Sequence, residues 1–118
     1  MKRKELMKIF ELLTDISSMI GREIGICACR SGEEYNIGPV SVGDIVSAEV
    51  YCNCKKDERA IIFHTHVLSP PLPSDADLKP LKEGRVEEIC IGAKVPGGVE
   101  IRCYYPCNKK EINQTGNT

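Results

Sequence analysis

The clearest periodic pattern in the chain lies near its start. Over residues 2–20, apolar side chains recur every three or four positions, and charged side chains occupy positions between them. This spacing predicts an amphipathic α-helix that buries one face. Gly21 is the predicted end of the helix, because glycine readily adopts the left-handed conformation of a C-cap. The apolar positions are Leu6, Ile9, Phe10, Leu13, Ile16 and Ile20.

Shorter apolar or alternating runs predict strands. They cover residues 23–29, 45–52, 60–63, 86–95 and 99–105. The alternation over residues 45–52 is typical of a strand with one exposed face. Residues 35–42 are predicted to be extended but irregular, since Gly38 and Pro39 interrupt them. Turn-forming residues at 31–34, 55–58 and 96–98 separate the runs, and the last of these turns predicts a hairpin.

A second, short helix is predicted in the middle of the chain. The apolar run at 60–63 leads directly into His64, Thr65 and His66, and a loop stiffened by three prolines follows over residues 67–73. Ser74 is a predicted N-cap for a helix over residues 75–82. Pro80 limits the length of this helix, because proline cannot donate a helical hydrogen bond.

The chain alternates predicted helices and strands and ends in a polar tail over residues 108–118. A chain of 118 residues with 42% hydrophobic and 28% charged residues has the size and composition of a single compact domain. The net charge of −1 argues against nucleic-acid binding that depends on phosphate contacts. We expect a cytosolic protein without a membrane partner, because no apolar run reaches the ~20 residues of a membrane span or forms the core of a secretory signal.

Seven cysteines are many for a cytosolic chain of this length, and the odd number leaves at least one without an intrachain partner. Two Cys-x-Cys pairs, Cys27 with Cys29 and Cys52 with Cys54, offer four thiolates to a structural zinc ion or an iron–sulfur cluster. Alternate residues of a strand are widely spaced for chelation, however, and buried strand thiols are the simpler interpretation. Cross-strand disulfides, including one between Cys103 and Cys107, are a third alternative.

The only two histidines of the chain lie two positions apart, at the end of a predicted strand. His64 and His66 therefore point to the same face of that strand. Asp77 follows the loop, in the first turn of the short helix. Two imidazoles and one carboxylate form the three-ligand set of a catalytic zinc site, which keeps its fourth position open. Structural zinc sites are closed by four ligands and favour cysteine.

The same residues resemble the core motif of the JAMM, or MPN+, metalloprotease family. That motif is His-x-His, seven residues, Ser, two residues and Asp, and its fixed positions here are His64, His66, Ser74 and Asp77. Pro73 and Leu78, which flank the second half of the motif, are also similar to family members. Val67 departs from the family, in which proline usually follows the second histidine. The order of elements is similar over residues 2–106.

The resemblance implies one α/β domain of the MPN fold over residues 1–107, in which a mixed, curved sheet is flanked by the long N-terminal helix and the short helix after the motif. It also implies one Zn²⁺ ion held by His64, His66 and Asp77. Glu23 then acts as the general base, and Ser74 hydrogen-bonds the oxyanion of the tetrahedral intermediate. Alternatives to Glu23 are Glu33, Glu34 and Glu49.

The implied activity is hydrolysis of amide or isopeptide bonds, with ubiquitin-like proteins and their conjugates as partners. Such modifiers end in Gly-Gly, and we expect a groove beside the zinc site that pairs with this terminus along an exposed strand edge at residues 45–52 or 35–42. Related branches of the family imply amidases of sulfur-carrier or peptidoglycan-type substrates. A catalytically silent MPN scaffold and a DNA-associated role are the alternatives from other functional classes.

Overall fold

A computed structural model of the protein describes residues 1–106. They form a mixed sheet and two helices, which confirms the predicted α/β class. The elements in chain order are α1 (Arg3–Ile20), β1 (Ile24–Ser31), β2 (Glu34–Ile37), β3 (Ser41–Val42), β4 (Arg59–His66), α2 (Asp75–Lys82), β5 (Glu88–Val95) and β6 (Gly98–Tyr104). The predicted polar tail lies outside the described residues.

The six strands form one sheet in the order β2-β1-β4-β5-β6, with β3 also paired to β1. All neighbouring strands are antiparallel except β4 and β5. Parallel neighbours need a crossover connection, and α2 lies within the connection between β4 and β5. The carboxyl end of β4, which carries both histidines, therefore leads straight into the loop and helix that carry the third predicted ligand.

Helix α1 covers the first face of the sheet. Its Leu6, Phe10 and Leu13 belong to a buried cluster that also contains Ile26 and Phe63 from the sheet. The Phe10 and Phe63 rings stack with their centroids 4.1 Å apart. The helix ends at Gly21, whose φ of +70° is the left-handed conformation predicted for its C-cap.

The second face of the sheet is covered by α2 and by residues 43–58, which we call the covering segment. Leu81 of α2 joins Ile89 and Ile91 of β5 in a second buried cluster, and Ile62 of β4 packs against it. His64 and Ile62 are alternate residues of β4 and therefore lie on the same face of the sheet. Gly25 and Cys27 of β1 are directly opposite them and lie on that face as well.

The covering segment contains no helix or strand over residues 43–58, so the predicted strand at residues 45–52 is wrong. Both edges of β1 are already paired, with β4 on one side and with β2 and β3 on the other. The covering segment instead packs close to β1 at Gly25. A Cβ atom at Gly25 would come within 2.7 Å of the Glu49 carbonyl oxygen, so only glycine admits this approach.

Three disulfides join neighbouring elements. Cys27–Cys52 and Cys29–Cys54 tie the covering segment to β1, and Cys90–Cys103 links β5 to β6. The alternative of disulfides therefore holds for six cysteines, and the interpretation as buried thiols does not. The suggested pairing of Cys103 with Cys107 is wrong, because Cys103 is bonded to Cys90. Cys107 lies outside the described residues.

Candidate metal centre

His64 and His66 lie at the carboxyl end of strand β4, just before the loop, and both point to the second face of the sheet. Their rings are tilted by 51° with centroids 5.1 Å apart. Both side chains are largely buried, with exposed fractions of 12% and 11%. The alternation of side chains along a strand thus places the two imidazoles together, as the sequence predicted.

Thr65, between the histidines, points to the opposite face and is fully buried. Its hydroxyl oxygen accepts a hydrogen bond from the Ile24 backbone N–H at 2.9 Å and lies 2.6 Å from the Ser17 hydroxyl oxygen. Ser17 donates its own proton to the Arg22 carbonyl oxygen, so Thr65 is the donor to Ser17. This chain of bonds joins α1, β1 and the histidine strand behind the candidate site.

The tautomer of His66 follows from its contact with the loop. Its Nδ1 lies 2.8 Å from the Pro70 carbonyl oxygen, which can only accept, so Nδ1 carries the proton. Nε2 is then an unprotonated nitrogen directed toward Asp77 when the ring is neutral. A backbone carbonyl that fixes one nitrogen of a histidine is the usual support for a metal ligand. Nothing in the sequence indicated this role for Pro70.

Asp77 reaches the histidines from the first turn of α2. Its two carboxylate oxygens lie 3.1 Å from His64 Nε2 and 3.4 Å from His66 Nε2. A capping box fixes the turn, because Asp77 N–H donates to the Ser74 hydroxyl oxygen and Ser74 N–H donates to the Asp77 carboxylate. The predicted N-cap is confirmed, and it orients the carboxylate toward the rings.

The electrostatics of the three groups are strongly coupled. Burial acts to raise the pKa of Asp77, but hydrogen bonds with His64 and His66 outweigh it, and the pKa of Asp77 falls well below its usual range. The hydrogen bond with Asp77 raises the pKa of His66. The carboxylate is thus ionised and held beside both imidazoles, as a ligand for a cation must be.

The donor set fits zinc. One ligand atom from each of His64, His66 and Asp77 lies within 4.8 Å of the other two. Two imidazole nitrogens and one carboxylate oxygen are common zinc ligands, and three protein donors are the number found in catalytic zinc sites. The structure therefore brings together the three residues that the sequence proposed as one candidate metal site.

Glu23, immediately before β1, lies at the same site. Its Oε1 is 3.9 Å from His64 Nδ1, and only 6% of the residue is exposed. That distance is too long for a hydrogen bond, so the two groups interact through charge. Burial raises the pKa of Glu23, an effect that the nearby histidines partly oppose. A buried carboxyl with a raised pKa beside a candidate metal site is a typical proton acceptor.

The alternative glutamates lie elsewhere. Glu34 pairs with the Met1 ammonium group and with Lys2, at 3.3 and 2.5 Å. Glu33 lines a separate depression beside the start of α1. Glu49 accepts a hydrogen bond from the Tyr51 hydroxyl and is exposed. Among these four glutamates, Glu23 alone lines the cleft that contains the histidines.

The cleft above the candidate site has a volume of about 750 Å³. Its lining comes mainly from residues 45–48 and Val50 of the covering segment and from the loop and helix at residues 68–80. Ser74 lies at its edge with an exposed side chain, and its hydroxyl proton is not used by the capping contact. Residues 45–52 were one of the two segments predicted to border a groove beside the site, and part of this segment lines the cleft, although as a loop and not as a strand edge.

Two other groups of side chains have metal-ligand chemistry. One contains Cys27, Cys29 and Cys54, and the other contains Glu88, Cys90 and Cys103. The cysteines of both groups are engaged in disulfides. Glu88 is buried and accepts two hydrogen bonds from the guanidinium of Arg3, at 2.8 and 2.5 Å, so its carboxylate already has a cationic partner.

Within residues 1–106, none of the helices has the length and apolar character needed to cross a membrane. Comparisons of the chain with protein-family models, with curated proteins and with solved structures found no match.

Proposed function

We propose that the chain is a zinc-dependent hydrolase of amide or isopeptide bonds, with an MPN fold of the JAMM type. The observation that carries this proposal is the convergence of His64, His66 and Asp77 in one cleft that also contains the buried Glu23. The resemblance of the motif around these residues adds the reaction class. The mixed sheet with one helix on each face is compatible with the proposed fold.

The proposed zinc ligands are His64, His66 and Asp77. A zinc ion at this site supplies Lewis acidity, which polarises a carbonyl group and lowers the pKa of a water molecule to about 7. The protein prepares the ligands in advance. The Pro70 carbonyl oxygen fixes the tautomer of His66, and the capping box with Ser74 fixes the carboxylate of Asp77.

Glu23 is the proposed general base. Its raised pKa brings the carboxylate closer to the operating pH, where proton transfer in both directions is most efficient. In the ionised form Glu23 accepts the proton of the attacking water, and in the protonated form it returns that proton to the leaving amine. Its position beside His64 places the carboxylate in the cleft where both transfers occur.

Ser74 is the proposed oxyanion donor. Its hydroxyl oxygen accepts the hydrogen bond from the Asp77 backbone N–H, and its proton remains available to a developing oxyanion. One hydroxyl therefore serves both as a helix cap and as a donor to substrate.

The proposed substrate is a protein whose extended Gly-Gly terminus is joined to a lysine. Over residues 48–53, no hydrogen bond joins the backbone of the covering segment to another described residue. Such backbone groups can pair with a guest chain, and part of this segment lines the cleft. The other predicted edge, at residues 35–42, is less suited because β2 and β3 already pair there with β1.

The apolar rim of the cleft also favours a protein substrate. Val46 and Leu68 line the cleft, with exposed fractions of 68% and 71%. Leu72 adds a third exposed apolar side chain. Exposed apolar groups around a polar site are typical of surfaces that bind another protein.

The zinc site is tested by metal analysis together with cleavage of a ubiquitin-like–lysine conjugate. We expect about one zinc ion per chain, as in catalytic sites with three protein ligands. Asp77→Ala should lose both the zinc and the cleavage. The matched control is Asp75→Ala, since Asp75 lies in the same helical turn, is exposed and belongs to no candidate metal group.

Full zinc content in the doubly substituted His64→Ala/His66→Ala protein, prepared without reductant, would contradict the proposed ligands. Zinc binding without hydrolysis of any amide conjugate would instead favour the non-catalytic scaffold.

A further inference from the structure

The four cysteines between β1 and the covering segment lie in one cluster on the second face of the sheet. Cys27 and Cys29 are alternate residues of β1, and each is bonded to one member of the second Cys-x-Cys pair, Cys52 or Cys54. The sulfur atoms of Cys27, Cys29 and Cys54 all lie within 4.8 Å of one another. Cys52 completes the cluster through its bond to Cys27.

We propose that these four cysteines form a second metal site, which binds one zinc ion when the two disulfides are reduced. Tetrahedral zinc with Zn–S bonds of about 2.3 Å needs sulfur atoms about 3.8 Å apart. The sulfurs of Cys29 and Cys54 separate when their disulfide is reduced, and the Cys27 sulfur already lies within 4.8 Å of both. An iron–sulfur cluster is larger than a single ion and needs its thiolates further apart.

The wide spacing of a Cys-x-Cys pair along a strand does not prevent chelation here. Cα atoms of alternate strand residues are about 6.6 Å apart. The side chains of Cys27 and Cys29 nevertheless bring their sulfur atoms within 4.8 Å, because both turn toward the covering segment. The ligands come from two separate parts of the chain, so one ion would join the same elements as the two disulfides.

The exchange between the two states is balanced. Two molecules of a small dithiol give four electrons and four protons to the two disulfides, which yields four cysteine thiols and two cyclic disulfides of the reductant. The four thiols then release four protons as their sulfurs bind one Zn²⁺ ion. Cys52 is exposed, so a dithiol can reach the Cys27–Cys52 bond directly.

The proposed second metal site would hold a segment that forms one wall of the cleft. The covering segment lines the cleft at residues 45–48 and at Val50, and its backbone over residues 48–53 is not hydrogen-bonded to other described residues. The start of the segment is anchored by backbone hydrogen bonds of Gly43 and Asp44 with Glu23, so the sulfur cluster and packing at Gly25 determine the position of residues 48–54 against β1. Two disulfides or one zinc ion hold residues 48–54 in place, whereas reduction without metal releases them.

The test uses the full chain with His64→Ala/His66→Ala, which removes the first metal site and separates this inference from the proposed function. Without reductant we expect no bound zinc. After treatment with a small dithiol, zinc addition and desalting, we expect about one zinc ion per chain. Cobalt in place of zinc should give the intense thiolate-to-metal absorption of a tetrahedral four-sulfur site.

Matched variants in the same background identify the ligands. Cys52→Ser/Cys54→Ser, which changes only the covering segment, should abolish the metal uptake and the thiolate absorption. Cys90→Ser/Cys103→Ser removes the other disulfide and should leave both unchanged. Cys107→Ser is a second control and should also have no effect.

Absence of zinc from the reduced protein, or uptake that survives Cys52→Ser/Cys54→Ser, would overturn the proposal. Limited trypsin digestion gives a readout that needs no cysteine variant. Cleavage after Lys55 and Lys56 should be fast only in the reduced, zinc-free protein, and equal cleavage with and without zinc would also overturn it.

Discussion

At the scale of single residues, the proposed role of Glu23 as general base can be tested separately from metal binding. Its carboxylate is buried in the cleft but belongs to no described candidate metal group, so proton transfer and metal binding are separable. Glu23→Gln keeps the shape of the side chain and removes the base. We expect the variant to retain its zinc and to hydrolyse a ubiquitin-like–lysine conjugate ~10²–10⁴ times more slowly.

The matched control is Glu49→Gln, because Glu49 is exposed and lies outside the cleft lining. Its activity should equal that of the unmodified protein. If Glu23→Gln retained full activity, the base would have to be sought among Glu33, Glu34 and Glu49.

Thr65 is a second residue whose role can be measured by itself, in this case its contribution to the free energy of unfolding. Thr65→Val preserves volume but removes the acceptor of the Ile24 N–H and the donor to Ser17, in a fully buried position. A buried donor left without a partner costs about 1–3 kcal/mol. Urea denaturation should show a loss of that size in the free energy of unfolding.

Thr65→Ser retains the hydroxyl group and is the control for this network. It should be destabilised less than Thr65→Val, since it loses only a methyl group. The reverse order of stability would show that packing of the methyl group, and not the hydrogen bonds, is the main contribution of Thr65.

At the scale of elements, an ion pair links β1 to the residue before β5. Arg30 donates two hydrogen bonds to Glu87, at 2.6 and 2.7 Å, and these bonds lower the pKa of Glu87 below its usual value. A carboxyl whose pKa is lowered by folding adds stability above its unfolded pKa. That contribution is lost as the pH falls through the lower, folded value.

We therefore expect the difference in unfolding free energy between the unmodified protein and Glu87→Gln to depend on pH. The pair should contribute about 0.5–1 kcal/mol at neutral pH, and the difference should shrink as the pH falls below about 4. Denaturation curves of both proteins over this range give the measurement. A difference that is constant with pH would mean that the charge of Glu87 does not stabilise the fold.

At the scale of the whole molecule, the cleft between the covering segment and the loop before α2 is where the proposed substrate would bind. A Gly-Gly terminus has no side chains to recognise, so binding depends on backbone pairing and on a channel that excludes larger residues. We expect conjugates whose modifier ends in Gly-Gly to be cleaved faster than matched conjugates that end in Ala-Ala. Cleavage rates measured side by side under single-turnover conditions test this expectation.

Equal rates for the two conjugates would remove the modifier-protease proposal and leave a general metallopeptidase or an amidase of another substrate. The comparison requires proteins with the same zinc content, so that a difference in rate reflects recognition by the cleft and not loss of metal.

The sequence by itself determined the parts of the molecule that depend on near neighbours in the chain. The helical spacing and Gly21 predicted α1 almost to its ends. Strand alternation predicted that His64 and His66 share a face, and the position of Ser74 before residues 75–82 predicted the N-cap of α2. Each of these features follows from backbone geometry over a few residues, which is why a local pattern was sufficient.

Only the tertiary structure decided the features that depend on distant parts of the chain. The alternating residues 45–52 resemble a strand, but both edges of β1 were occupied, so the segment lies against a sheet face and forms a wall of the cleft. The pairing of six cysteines also depended on which segments meet in the fold. Glu23 was distinguished from Glu33, Glu34 and Glu49 for the same reason, because the start of β1 lies opposite the end of β4 only after the sheet has formed.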